Sequence, residues 1–311
     1  MKKYIICTLL TLVACKTENK KDIWSTEKTE TKHSKKREKE VWGKVLRGHH
    51  PELFYGTPVY NTAIAIKNKD NEALKKEISK LSKQEVNYQD TKFKTTLGHF
   101  ALQHENLEAI KLLIDKELNP NIISDNGYCI MTNINTPHNS RLPNSLETLK
   151  YIIKNGGNVN LLNLKDVFNV SPLITASGSN IINTKLLIES GADPNFIYKN
   201  TDRGGSFYDR SALLKALLYK RIDIVNYLIF EQKVDYKIYK YPLDSKYYPE
   251  GYRVLGALKD MTFSLDSEKH KKKMKLVNYL SEQGLDYWSV PVPKHIKENL
   301  NYNTEEYLSK Y

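Results

Sequence analysis

The chain has 311 residues, with 48 Lys and Arg against 36 Asp and Glu, a formal net charge of +12. Such a balance favours acidic partners or anionic surfaces. The abundance of Lys, Asn, Ile and Tyr is also what an AT-rich genome produces, so the charge alone excludes little.

Met1-Lys2-Lys3 precede an apolar run from Tyr4 to Val13, and Ala14-Cys15 follow. An apolar run of about ten residues is too short for a bilayer-spanning helix, which needs roughly 20. Lysines, a short apolar run and a small residue before the junction are the anatomy of a secretory signal peptide. Leu12-Val13-Ala14-Cys15 also resembles the bacterial lipobox. That resemblance implies that residues 1–14 are removed, that the Cys15 thiol carries diacylglycerol and that the new amine is acylated. Several acyl chains anchor firmly where one binds only marginally. Lys16 stands where inner-membrane retention uses Asp, so the resemblance implies an outer-membrane location facing the periplasm. The alternative at this point is an ordinary cleaved signal peptide with Cys15 incidental. Loss of Lys2 and Lys3 takes the charge from +12 to +10. With Cys7 removed and Cys15 lipidated, Cys129 has no partner, so there is no disulfide framework and no thiol cluster for zinc. Cys129 reads as a small buried hydrophobe.

Residues 15–41 read as a lipidated tether. From Lys16 to about Glu40 the chain is dense in Lys, Glu and Thr, with Ile23-Trp24 its only bulky apolar pair. A segment with so little to bury stays disordered. As a coil of some 25 residues it would span ~25–30 Å on average.

Residues 42–290 read as an array of helical repeats. Lys111-Leu112-Leu113-Ile114 runs into Asn119-Pro120-Asn121, Lys150-Tyr151-Ile152-Ile153 into Gly156-Gly157-Asn158-Val159-Asn160, and Lys185-Leu186-Leu187-Ile188 into Gly191-Ala192-Asp193-Pro194-Asn195. Weaker copies end at Asn87, Tyr236 and Trp288. In each, the apolar residues share a helical face that needs a neighbour. Gly156 and Gly191 fall one place past a helix end, where a positive φ is wanted. The Asn-Pro-Asn and Asp-Pro-Asn triplets make turns. One unit cannot bury its own face, so units must stack.

These copies resemble the second helix and exit turn of an ankyrin repeat. The family's opening motif, Thr-Pro-Leu-His-x-Ala, is echoed by Thr57-Pro58-Val59-Tyr60-Asn61-Thr62-Ala63, Thr95-Thr96-Leu97-Gly98-His99-Phe100-Ala101, Ser171-Pro172-Leu173-Ile174-Thr175-Ala176 and Ser211-Ala212-Leu213-Leu214-Lys215-Ala216. Cys129-Ile130-Met131-Thr132 is a candidate remnant, and the last copy opens through Val254-Leu255-Gly256-Ala257-Leu258. The resemblance implies an all-α, ankyrin-type solenoid of about six degenerate repeats. Longer steps between copies place insertions near 122–145, 196–209, 237–253 and 262–272, expected at the finger ends. Residues 291–311 read as a capping segment.

No catalytic set emerges, so the expectation is a non-enzyme without cofactor or metal. His49 and His50 are adjacent, and His99 and His104 are five apart, which does not align two ligands on one helix face. His99 sits near the family's histidine, whose side chain bonds the turn backbone. The Gly-Gly pairs match neither phosphate-loop pattern. The binding candidate is the tyrosine-rich stretch Tyr236, Tyr239, Tyr241, Tyr247, Tyr248, Tyr252 and Arg253; Tyr and Arg are frequent interface anchors. The alternative is that these tyrosines pad a long finger against its neighbour. Lys269-His270-Lys271-Lys272-Lys273 reads as a solvated basic face, or one that touches headgroups.

These readings converge on an exported, lipid-anchored monomer that holds a protein partner and no nucleic acid. The layout is similar to periplasmic immunity lipoproteins that neutralise secreted antibacterial toxins. The rival expectation is an envelope scaffold or stress factor that binds cell-wall or membrane components.

Overall fold

The computed structural model describes residues 35, 38–163, 171–198, 210–238, 253–299, 301–302 and 304–311. Cys15, the signal peptide and most of the tether lie outside these residues. The chain divides into two units, Met1–Tyr55 and Gly56–Tyr311. In the first, residues 38–42 are helical, so the end of the predicted tether is ordered. The Glu38 carboxylate accepts the Leu46 N–H at 2.8 Å, Lys44 pairs with Glu52 at 3.1 Å, and Trp42 meets the Tyr55 ring edge-on.

Among the described residues the second unit shows six helix pairs. They are α1 (Tyr60–Asn68) with α2 (Asn71–Lys80), α3 (Leu97–Gln103) with α4 (Leu107–Asp115), and α5 (Ile130–Ile134) with α6 (Ser145–Lys154). Then come α7 (Pro172–Ser177) with α8 (Ile181–Glu189), α9 (Ala212–Leu218) with α10 (Ile222–Asn226), and α11 (Arg253–Lys259) with α12 (Glu268–Glu282). One turn of π-helix, Tyr227–Glu231, extends α10. The first helices of successive pairs pack in one row, α1 to α11, and the second helices in another, α2 to α12. A short antiparallel ladder, β1 (Ile197–Tyr198) with β2 (Arg210–Ser211), flanks one finger. Helices α13 (Lys294–Lys297) and α14 (Glu305–Lys310) end the described chain. The fold is a mostly helical, solenoid-like stack. Its first-row helices are short, and two of them are almost wholly buried: Pro172 to Ser177 and Leu97 to Leu102 are all buried. Second-row helices show the one-sided apolar face of a surface helix, as in α6, which buries Leu149 and Ile152 and exposes Lys150 and Lys154.

Two expected insertions sit elsewhere than at the fingers. Four of the pairs turn between their helices within two or three residues, but α5 and α6 are separated by residues 135–144, which include the 3-10 turn Asn139–Arg141. Residues 260–267 likewise separate α11 from α12. Extra chain in a repeat can leave by either end of the helix pair, and step length counts it without saying which end.

Candidate functional site

Three first-row helices, α5, α7 and α9, are started by a small polar side chain taking an orphan amide of the first turn. Ser171 accepts from Ile174 N at 3.2 Å, Ser211 from Leu214 N at 3.1 Å, and the Cys129 thiol from Thr132 N at 3.4 Å. Cys129 therefore occupies the place of the motif's hydroxyl residue. It is 1 % exposed, and burial pushes its thiol pKa up, the opposite of what a nucleophile needs.

His99 is tied in at both nitrogens. Nδ1 accepts from Thr96 N at 3.2 Å and from the Thr96 hydroxyl at 2.9 Å, so Nε2–H donates to the Tyr128 carbonyl at 2.7 Å. Full burial pushes its pKa down to about 4, against the carbonyl bond and the charge of Asp90, which favour the cation. The ring is a neutral strut between the second and third pairs, with no free nitrogen for chemistry.

The exit turns form a ladder. Asn119, Asn158 and Asp193 each accept the backbone N–H two residues on, at 3.0, 2.9 and 2.8 Å. The asparagine closing each turn reaches into the next repeat. Asn87 donates to Glu117 O and accepts from Asn119 N at 2.9 and 2.6 Å. Asn121 donates to Gly156 O and accepts from Asn158 N at 2.9 and 2.7 Å. Asn160 repeats the pattern with Gly191 O and Asp193 N at 3.0 and 3.4 Å. At the other end of the pairs Asn106 bonds Ile66 O, Asn180 bonds Ser140 O, and Arg221 Nε bonds Gly178 O. The polar side chains that stand out in the sequence are thus committed to holding repeat to repeat. No group of three or more His, Cys, Asp or Glu is placed to hold a metal ion among the described residues.

The tyrosine-rich stretch is only partly described. Tyr236 opens the 3-10 turn Tyr236–Ile238 and is 6 % exposed, its ring edge-on to Tyr279 at 6.4 Å. Tyr279 also meets Phe230 at 5.1 Å. Tyr236 therefore packs between the fifth and sixth pairs. Tyr239, Tyr241, Tyr247, Tyr248 and Tyr252 lie outside the described residues, and of Arg253 only the backbone, at the start of α11, is described.

Sequence reasoning missed a different surface. Leu218 and Tyr219, at the end of α9, are 66 % and 43 % exposed. Tyr219 lies beside Gly178 of the preceding pair, whose missing Cβ leaves room for the Lys215 chain, and the Lys215 ammonium sits 4.6 Å over the Tyr219 ring. Lys220 is exposed and Arg221 partly so. Nothing in the pattern Leu213-Leu214-Lys215-Ala216-Leu217-Leu218-Tyr219 marks the last two as outward. Only the turn at Lys220, with φ of 55°, settles where the helix stops burying side chains.

Residues 140–240 match the family model described as ankyrin repeats (3 copies), so this part of the chain carries ankyrin repeats. No curated protein matches the chain. The helix-pair geometry continues on both sides of the matched residues, with α1 to α5 before them and α11 and α12 after.

Proposed function

We propose that this chain is an exported lipoprotein that holds a protein partner in the cell envelope without catalysis. Ankyrin repeats are generally protein–protein interaction modules, which supports the binding part of the reading. The observation that carries it is the exposed Leu218–Tyr219 pair beside Lys215, Lys220 and Arg221, on an array whose turn asparagines Asn87, Asn121 and Asn160 are occupied by its own backbone. An apolar anchor with basic neighbours suits a partner that offers an apolar side chain flanked by carboxylates. The finger containing Tyr239 to Tyr252 is a second contact region in this reading. Lipidation at Cys15 and outer-membrane placement facing the periplasm are parts of the same proposal and rest on residues 12–16 alone; a monomeric state is proposed with them.

The test is co-purification from envelope extracts with the tagged mature chain. A stoichiometric protein partner is expected, and Leu218→Glu with Tyr219→Glu should abolish it while the circular dichroism stays that of the folded array. Recovery of lipid only, or equal recovery by the variant, refutes the binding surface. Cys15→Ser should move the chain to the soluble fraction, and an unchanged membrane fraction would remove the anchor. Within this proposal an immunity role predicts that deletion is harmful only beside a toxin-armed neighbour.

The exposed Lys269, Lys271, Lys272 and Lys275 of α12 favour a second reading, a scaffold held on anionic envelope components. Such binding would vanish above the screening range of salt, whereas a packed protein interface would persist.

A further inference from the structure

The basic run 269–273 divides on folding. Lys269, Lys271 and Lys272 face water, whereas His270 is 9 % exposed and Lys273 is fully buried. Lys259, the last residue of α11, is 2 % exposed. Neither Lys259 nor Lys273 has a carboxylate within ion-pair distance among the described residues. Instead both ammonium groups face aromatic rings. Lys259 Nζ lies 4.0 Å from the Tyr287 centroid, 5.0 Å from Trp288 and 5.1 Å from Tyr311. Lys273 Nζ lies 4.3 Å from Tyr311 and 5.3 Å from Tyr287, and it donates to Met261 O at 2.9 Å.

The rings come from two places. Tyr287 and Trp288 follow α12 directly, whereas Tyr311 arrives at the end of the segment that begins at Pro291. That segment is held by a small core of Ile296, Tyr307 and Tyr311 with Leu265, Val292, Tyr302 and Leu308. Tyr307 OH accepts from Phe263 N and donates to Phe263 O, and Tyr287 OH donates to Tyr311 O at 2.9 Å. Closing the segment therefore covers two neighbouring amines with the Tyr311 ring. Ring quadrupoles attract a cation, but two desolvated like charges repel each other and lose their water.

We propose that residues 291–311 form a pH-responsive latch, which closes Tyr311 over Lys259 and Lys273 when these amines are neutral and is freed when both are protonated.

Burial pulls Lys259 down to about 8, against the favourable charge of Asp286; burial and then the Lys259 charge pull Lys273 down to about 7. Among the described residues, other charged or titratable groups near the site include Asp260 just after α11, His270 on α12, and His295, Tyr307 and Lys310 on the segment itself. His270 Nε2 donates to Lys310 O at 3.1 Å. The Tyr311 phenol is held protonated by burial, with Tyr307 and Asp260 adding to the effect. His295 lies 3.5 Å from Asp260, an ion pair only when the imidazole is charged.

Withdrawal of Tyr311 returns water to both amines and moves them back towards their ordinary values, so the open form binds more protons and closure strengthens as pH rises. With 10.5 open against about 8 and 7 closed, the closure constant should rise about tenfold between pH 7 and 8. The experiment is hydrogen exchange of the full chain at pH 7, 8 and 9, with amide protection in 294–310 corrected for intrinsic rates. Wild type should gain protection about tenfold from pH 7 to 8, and Lys259→Met with Lys273→Met should be protected and flat. If the double variant fails to fold, as lost protection in α3 and α4 would show, Lys273→Met alone should cut the rise to about twofold. A flat wild type, or a variant that keeps the full tenfold rise, overturns the latch.

Discussion

His99 offers the sharpest test of the array's energetics, because its fit requires the neutral ring. In the folded chain Nδ1 already accepts the Thr96 N–H and hydroxyl, so a proton there meets two donors inside a buried site. The pKa falls from 6.5 to about 4, with burial the dominant cause. The unfolded chain takes up the proton near 6.5 and the folded chain only near 4. Stability is therefore fully present above pH 6.5, declines as pH falls towards 4, and is level below that. At ~1.4 kcal/mol per pH unit of separation, the total loss is about 3 kcal/mol. That is a large share of the 5–15 kcal/mol typical of a folded domain, which is roughly what one buried core truncation costs. His99→Gln supplies a neutral acceptor and donor in similar positions. Urea unfolding of both proteins at pH 7, 5.5 and 4 isolates the effect, because carboxylates that titrate in the same window cancel in the difference. Wild type should lose about 3 kcal/mol more than the variant across that range. Equal losses would mean that His99 is not held neutral, and the strut between the second and third pairs would have to be abandoned.

The ladder and the turns give two further expectations. Asn121→Ala removes the links to Gly156 O and Asn158 N and should cost about 1–2 kcal/mol in urea unfolding, since water replaces part of each bond. Asn195→Ala, whose side chain is exposed and makes no such link, should cost under about 0.5 kcal/mol. Gly191→Ala meets open space at φ of +95° and should cost about 1 kcal/mol through strain alone. Gly127→Ala adds to a similar strain a Cβ placed 2.2 Å from the buried Asn163 amide, so its loss of thermal stability should be clearly larger, and equal losses would show that Asn163 yields freely.

The parts legible in the sequence were those encoded by local chemistry. Gly156 and Gly191 do adopt positive φ at the helix ends, and the openings at Thr96, Ser171 and Ser211 do cap helices. The Cys129 opening was recognisable only as a remnant, because a thiol caps weakly and is rarely read as a cap, yet it takes the Thr132 amide. The direction of each asparagine was not legible. The first of the Asn-Pro-Asn triplet closes its own turn, and the second bonds a residue 35 positions away. Local rules describe the former alone. The same limit explains Tyr236 and Lys273: composition marks a lysine run as solvated, yet Lys273 is buried against Tyr287 and Tyr311, and Tyr236 is buried against Tyr279.

That reversal bears on where a partner can bind. In a stack of repeats each unit's outward groups are the next unit's inward ones, so conspicuous polar and aromatic residues in mid-array are mostly consumed by repeat-to-repeat contacts. Binding capacity is left where the pairing runs out. One such place is the end of α9, where a left-handed residue at Lys220 stops the helix and leaves Leu218 and Tyr219 outside. Another is the sixth pair, where Tyr311 packs over Lys259 and Lys273. If the latch opens, the array gains an uncovered end and two cations there, without any change at Leu218. A partner that needs only the α9 surface should then bind with the same affinity at pH 7 and pH 9. A partner that reads the end of the stack should lose affinity as the segment closes.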